Sequence, residues 1–162
     1  MTKRIVHIAG LVVATFVAVL AVTGCGSSGT SKPPPRRMAT QEAYDAIKAD
    51  MGEQRIDIQF LLLHARLNTP AELSQQLGRL ADASREQEAV LAAIDPPTSI
   101  ALLVGTLHSA VAAQTATLRQ VARASRSEGP PAARAAAARL LRQSARIVAA
   151  RQRLENSFLI GF

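Results

Sequence analysis

Tryptophan is absent from this chain, aromatic side chains make up only 3% of it, and cysteine occurs once in 162 residues. A lone cysteine forms no internal disulfide and supplies no thiol set for zinc, and no Cys-x-x-Cys-His run marks haem attachment. Histidine is scarce as well. His64 and His108 stand in no Glu-x-x-His pair of the kind that di-iron bundles use, so each reads as a surface or boundary residue. Ser84, Ser109, Ser125 and Ser144 lack a glycine elbow, Glu86 and Glu88 point in different directions on a helix, and no Gly-rich phosphate loop occurs. No catalytic residue, cofactor site or metal site is therefore expected, and the chain is read as not an enzyme.

The β-branched and aromatic residues that favour strands are also sparse. Ala, Leu, Arg and Gln dominate instead, and these favour helix.

The first residues have a separate pattern. Lys3 and Arg4 are followed by a run without charge as far as Ser31, with its most apolar part over 8–22. A charged start followed by an apolar run is the plan of a secretory signal. An ordinary cleavage site wants a small-x-small pair, which Ala9, Ala14, Ala18 and Ala21 do not supply. A retained transmembrane helix needs about 20 apolar residues, for which this run is only marginally long enough. The run ends in Val22, Thr23, Gly24 and Cys25, which resembles the lipobox of bacterial lipoproteins at every position. The resemblance covers 2–25. It implies cleavage between Gly24 and Cys25, a diacylglyceryl thioether on Cys25, and extracytoplasmic residence on the cell membrane. Two or more acyl chains anchor a protein stably, so such an anchor needs no spanning helix.

From Cys25 to residue 39 the chain is rich in Gly, Ser and Pro and reads as a spacer, in which Lys32, Arg36 and Arg37 either meet anionic headgroups or simply solubilise the linker. The expected organisation is thus a signal peptide over 1–24, a lipidated spacer over 25–39 and a helical domain over 40–162.

Punctuation divides that domain into four helices. Thr69-Pro70-Ala71-Glu72 is a capping box with Pro at the first helical position, so one helix should end near Asn68 and another begin at Thr69. Asp95-Pro96-Pro97 stops the second, with Asp95 or Thr98 as the N-cap of the third, and the run 127–131 around Gly129 separates the third from the fourth. Apolar residues recur at steps of three and four: Tyr44, Ile47, Met51, Ile58 and Leu61; Leu73, Leu77, Leu80, Leu91 and Ile94; Ile100, Val104, Leu107, Val111, Leu118 and Val121; Leu140, Ile147, Leu154 and Phe158. One buried stripe per helix with short turns predicts an all-α, antiparallel up-down four-helix bundle, with a three-helix domain having a long bent first or last segment as the alternative. Arg151 and Glu155, one turn apart, break the last stripe and suit an ion pair at its edge.

Two surfaces stand out. Ile56, Phe60, Leu63 and Leu67 form a second apolar stripe on another side of the first helix, which is either packed all round or exposed for a partner. The net charge of +7 is uneven, with arginines concentrated after residue 118. Arg119, Arg123 and Arg126 share one face of the third helix, and Arg139, Arg142, Arg146 and Arg153 stripe the fourth. These faces read either as solvated surface or as a site for an anionic wall polymer, headgroup or acidic partner, and not for nucleic acid outside the cell. The functional expectation is a lipid-anchored envelope protein, non-catalytic, that binds an envelope protein or a second copy of itself through Ile56, Phe60, Leu63 and Leu67, with Arg119, Arg123 and Arg126 at the same bundle end. The rival expectation is a bundle whose interior, around Tyr44, Met51 and Val111, encloses a small apolar ligand or a metal.

Overall fold

The computed structural model describes residues 36–160, which form α1 (Arg36–Leu63), a 3-10 turn (Ala65–Leu67), α2 (Pro70–Ala93), α3 (Thr98–Glu128) and α4 (Pro130–Leu159). No strand occurs among the described residues. The signal segment, Gly24 and Cys25 lie outside them, and α1 opens at Arg36, inside the span 25–39 read as spacer.

The turns follow local chemistry. α1 stops at Leu63 rather than near Asn68, and the chain tightens through the 3-10 turn, where Asn68 Nδ2 donates to the His64 carbonyl at 3.1 Å. Thr69 then caps α2 as expected: its Oγ1 accepts from the Glu72 amide at 3.3 Å while Glu72 Oε2 accepts from the Thr69 amide at 2.8 Å. Neither Asp95 nor Thr98 caps α3. Pro97 holds that position in extended backbone, and its carbonyl accepts from Ile100 at 3.0 Å, so Thr98 is already helical. Gly129 joins α3 to α4 at φ +63, and Pro130 begins α4 at no hydrogen-bond cost.

The helices touch in the cyclic order α1, α2, α3, α4 and back to α1, so α1 and α3 stand on one diagonal of an antiparallel up-down bundle. Packing is most extensive between α2 and α3 and between α3 and α4; α1 is the most lightly held. By length and composition α3 would also suit a membrane span, but its apolar stripe from Ile100 to Val121 is spent on the bundle core.

The apolar stripes bury as expected except for Leu80 and Ile94, which are only partly buried against the core, and they form two cores rather than one. Tyr44, Met51, Leu107, Val111, Leu154 and Phe158 belong to the first, at the end where α1 begins. Ile58, Leu61, Leu73, Leu77, Leu118 and Leu140 belong to the second. Between them lies a layer of buried polar side chains: Gln54, Ser84, Gln87, Gln114, Thr115 and Ser144. Its hydrogen bonds join neighbouring helices in turn. Gln54 Nε2 donates to the Leu80 carbonyl at 2.6 Å, the Thr115 and Ser84 hydroxyls pair at 2.9 Å, and Gln114 Nε2 donates to Ser144 Oγ at 2.8 Å. Satisfied polar groups at one level disfavour sliding of any helix by a turn, because each slip would strand them against Leu or Val.

Candidate partner-binding surface

On α1 the residues Ile58 and Leu61 point into the core, and at 100° per residue Ile56, Phe60 and Leu63 fall on the opposite side. The second stripe is therefore exposed: Ile56 is 58% exposed, Phe60 64%, Leu63 75% and Leu67 75%. The reason is geometric. α1 has two neighbours, α2 and α4, and both lie behind it, so nothing among the described residues covers its outer face. Isolated exposed apolar side chains are ordinary, whereas four contiguous large ones form a patch of the size that marks interaction sites.

The patch has built edges. Phe60 stacks on His64 with ring centroids 4.2 Å apart, and the Phe60 carbonyl lies 2.9 Å from His64 Nδ1. On the α2 side, Phe60, Leu61, Asp57, Gln76, Arg79 and Leu80 line a groove of about 270 Å³. The next groove along that seam, about 370 Å³, is acidic, with Asp50, Glu53, Asp57 and Glu86 on its walls. On the α4 side Arg55 lies beside Val148 and Arg151.

Arg119, Arg123 and Arg126 are exposed on α3. They share the bundle end with Leu63 and Leu67, but α3 is diagonal to α1, so the basic cluster and the apolar stripe face different directions. A compact partner seated on one would not touch the other. Arg139, Arg142, Arg146 and Arg153 are likewise exposed along α4.

The remaining large exposed apolar residues are grouped too. Met38, Leu102, Leu159 and Ile160 lie near the end of the bundle where α1 begins, and Leu141 stands apart from them on α4. Phe158 behaves differently from its neighbours: it turns inward and meets the Tyr44 ring at 5.9 Å.

Chemistry in the interior is limited. Tyr44, Met51 and Val111 are tightly packed, and the cavity beside Met51, Gln54, Gln114 and Ser144 measures about 10 Å³, room for one water molecule. No group of three or more metal-binding side chains occurs among the described residues. The ion pair expected of Arg151 and Glu155 is present at 3.6 Å, and it has a third member that sequence reasoning missed, the Tyr44 hydroxyl.

Comparison with protein-family models, with curated proteins and with solved structures finds no match to this chain.

Proposed function

We propose that this chain is a non-catalytic, lipid-anchored protein of the bacterial cell envelope whose helical bundle presents the outer face of α1 to a protein partner. The observation that carries the partner reading is the exposure of Ile56, Phe60, Leu63 and Leu67 on the side of α1 opposite its core. Leaving such a patch in water forgoes on the order of 25 cal/mol for each Å² of apolar surface that a partner would cover. The anchoring reading rests on the lipobox-like Val22-Thr23-Gly24-Cys25. Met38, Leu159 and Ile160 support it, because they leave apolar surface at the bundle end where α1 begins. The exposed Arg119, Arg123 and Arg126 suit an anionic wall polymer as a separate, electrostatic contact.

Two experiments test the halves of this proposal separately. In cells fed a labelled fatty acid, Cys25→Ala should abolish the label and accumulate uncleaved precursor; normal maturation of the variant would remove the lipid anchor. A photo-crosslinking amino acid at position 60 of the full chain should give a discrete protein adduct that the same group at position 102 does not. Equal or absent adducts at the two positions would remove the partner surface.

A further inference from the structure

We infer that the partner on α1 is a second copy of this chain, and that the two bundles pair side by side, pointing the same way, through a two-fold axis parallel to α1. The inference rests on the reading of the Ile56 stripe as a partner surface and names its occupant from the charges along its two edges.

A stripe that pairs with itself about a two-fold axis meets the same residues on its partner, so apolar meets apolar automatically. The edges then decide the direction. Asp50 and Asp57, seven residues apart, run along the α2 edge with Glu53 between them. Lys48 and Arg55, also seven apart, occupy the other edge, roughly 160 to 200° away around the helix. Arg55 is placed there by its neighbours Val148 and Arg151 of α4. Lys48 now makes only an exposed pair with Asp45 of its own helix at 3.5 Å, which is a weak competitor.

Symmetry treats these edges differently in the two possible arrangements. With the axis parallel to α1, the acidic edge of each copy lies over the basic edge of the other. Arg55 of one then stands about 3 Å along the axis from the level of Asp57 of its mate, an axial offset that a long guanidinium side chain spans. With the axis perpendicular to α1, as in an antiparallel pair, acid faces acid and base faces base. Parallel pairing is therefore the complementary one, as in the flanking charge pairs that set direction in coiled coils. The lipid anchor proposed at Cys25 would hold both copies in that same direction.

Four apolar side chains are few beside the roughly 20 to 30 residues per partner of a stable interface, so pairing of untethered copies should be weak. Confinement of both to one membrane raises their effective concentration and makes the same contact sufficient.

The test uses the full chain in membranes of the producing cell. Ile56→Cys, Leu63→Cys and Leu67→Cys are compared singly with Leu102→Cys, an exposed site 82% open on α3, and with the unmodified chain, which shares Cys25. After mild oxidation, all three stripe variants should give disulfide-linked dimer at least tenfold above Leu102→Cys, because a parallel axis brings equal positions together along its whole length. Adding Phe60→Asp to Leu63→Cys should remove that excess without lowering the melting temperature. Asp57→Arg should reduce it, and Arg55→Asp on top of Asp57→Arg should restore it. Dimer no greater than in Leu102→Cys overturns the inference, and so does crosslinking at only one stripe position, the mark of an antiparallel crossing. If position 60 photo-crosslinks solely to a different protein, the partner surface stands and self-pairing fails; if it captures nothing, both fail.

Discussion

The Tyr44 hydroxyl, on a side chain wholly withdrawn from solvent, donates to Glu155 Oε1 and so ties α1 to α4. Arg151 completes the triad, its Nε 3.3 Å from the Tyr44 oxygen and its Nη2 3.6 Å from Glu155 Oε1. The triad is a polar link between the most lightly held helix and the last one, in the half of the bundle where α1 begins.

Removing the hydroxyl should loosen α1. Tyr44→Phe is expected to cost about 1.5 kcal/mol, the lower end for a hydrogen bond to a charged group because Glu155 stays partly solvated. Burial, and then the bond to Glu155, push the Tyr44 hydroxyl up to about 12 from its ordinary 10.0. A raised value in the folded state means that the stabilisation is complete below pH 10 and disappears as pH climbs towards 12. Ultraviolet titration of this single tyrosine should find a midpoint near 12. Urea unfolding of Tyr44→Phe should lack the corresponding decline of stability; a midpoint at 10 would show that the triad is open in solution.

The capping box at the start of α2 gives a separate acid-side signature. Hydrogen bonds from the Thr69 amide and hydroxyl hold the Glu72 carboxyl below its usual range. Its contribution is thus present above the ordinary carboxylate value and lost as pH falls through the lowered one. Thr69→Ala should cost roughly 1 kcal/mol at neutral pH. Nuclear magnetic resonance titration of Glu72 should show its midpoint rising in that variant.

Two features of Gly129 disfavour any side chain there. Its φ of +63 is strained for any other residue, and a Cβ there would stand 3.1 Å from Pro70 Cγ of α2. Gly129→Ala is expected to destabilise by at least about 1 kcal/mol, read as a fall in melting temperature. Gly78→Ala is its control: a Cβ at this helical site meets nothing within 4 Å, so the variant should be neutral or stabilising.

Ser125 is fully buried and its Oγ has no hydrogen-bond partner. Ser125→Ala should therefore raise stability by about 1 kcal/mol, since the hydroxyl is desolvated without return. A fall in melting temperature would reveal a bound water at that hydroxyl.

Adjacent positions on α1 should respond oppositely. Leu61→Ala, in the second core, is expected to cost roughly 2 to 5 kcal/mol. Phe60→Ser, one residue away and open to solvent, should change stability by no more than about 0.5 kcal/mol. Chemical denaturation of the two variants separates a core face from a docking face directly.

Much of this architecture is legible from residue spacing. The apolar steps of three and four locate each core stripe, and even the polar layer leaves a trace. Each stripe skips a beat where a polar residue takes the place of an apolar one: Gln54 between Met51 and Ile58, Ser84 and Gln87 between Leu80 and Leu91, Gln114 between Val111 and Leu118, Ser144 between Leu140 and Ile147. Read singly these are interruptions. Their common level emerges only when four helices are aligned in space, because spacing along one helix carries no information about its register against another. The early end of α1 was hidden for a similar reason: Ala65 and Leu67 continue an apolar pattern that a 3-10 turn satisfies as well as an α-helix does.

Sequence by itself determined the helical class, the Thr69 cap, the Gly129 turn and the core stripes, since each depends on local propensity or on periodicity within one element. It also displayed two apolar faces on α1 without ranking them, because periodicity counts faces and not neighbours. Tertiary structure decided which face is core. α2 and α4 both close on the Ile58 side, α3 takes the diagonal, and Ile56, Phe60, Leu63 and Leu67 remain outside. The same arrangement set Arg119, Arg123 and Arg126 apart from that stripe and brought Tyr44 to Glu155, 111 residues distant along the chain. Such choices belong to packing, where the position of every helix is fixed by all the others at once.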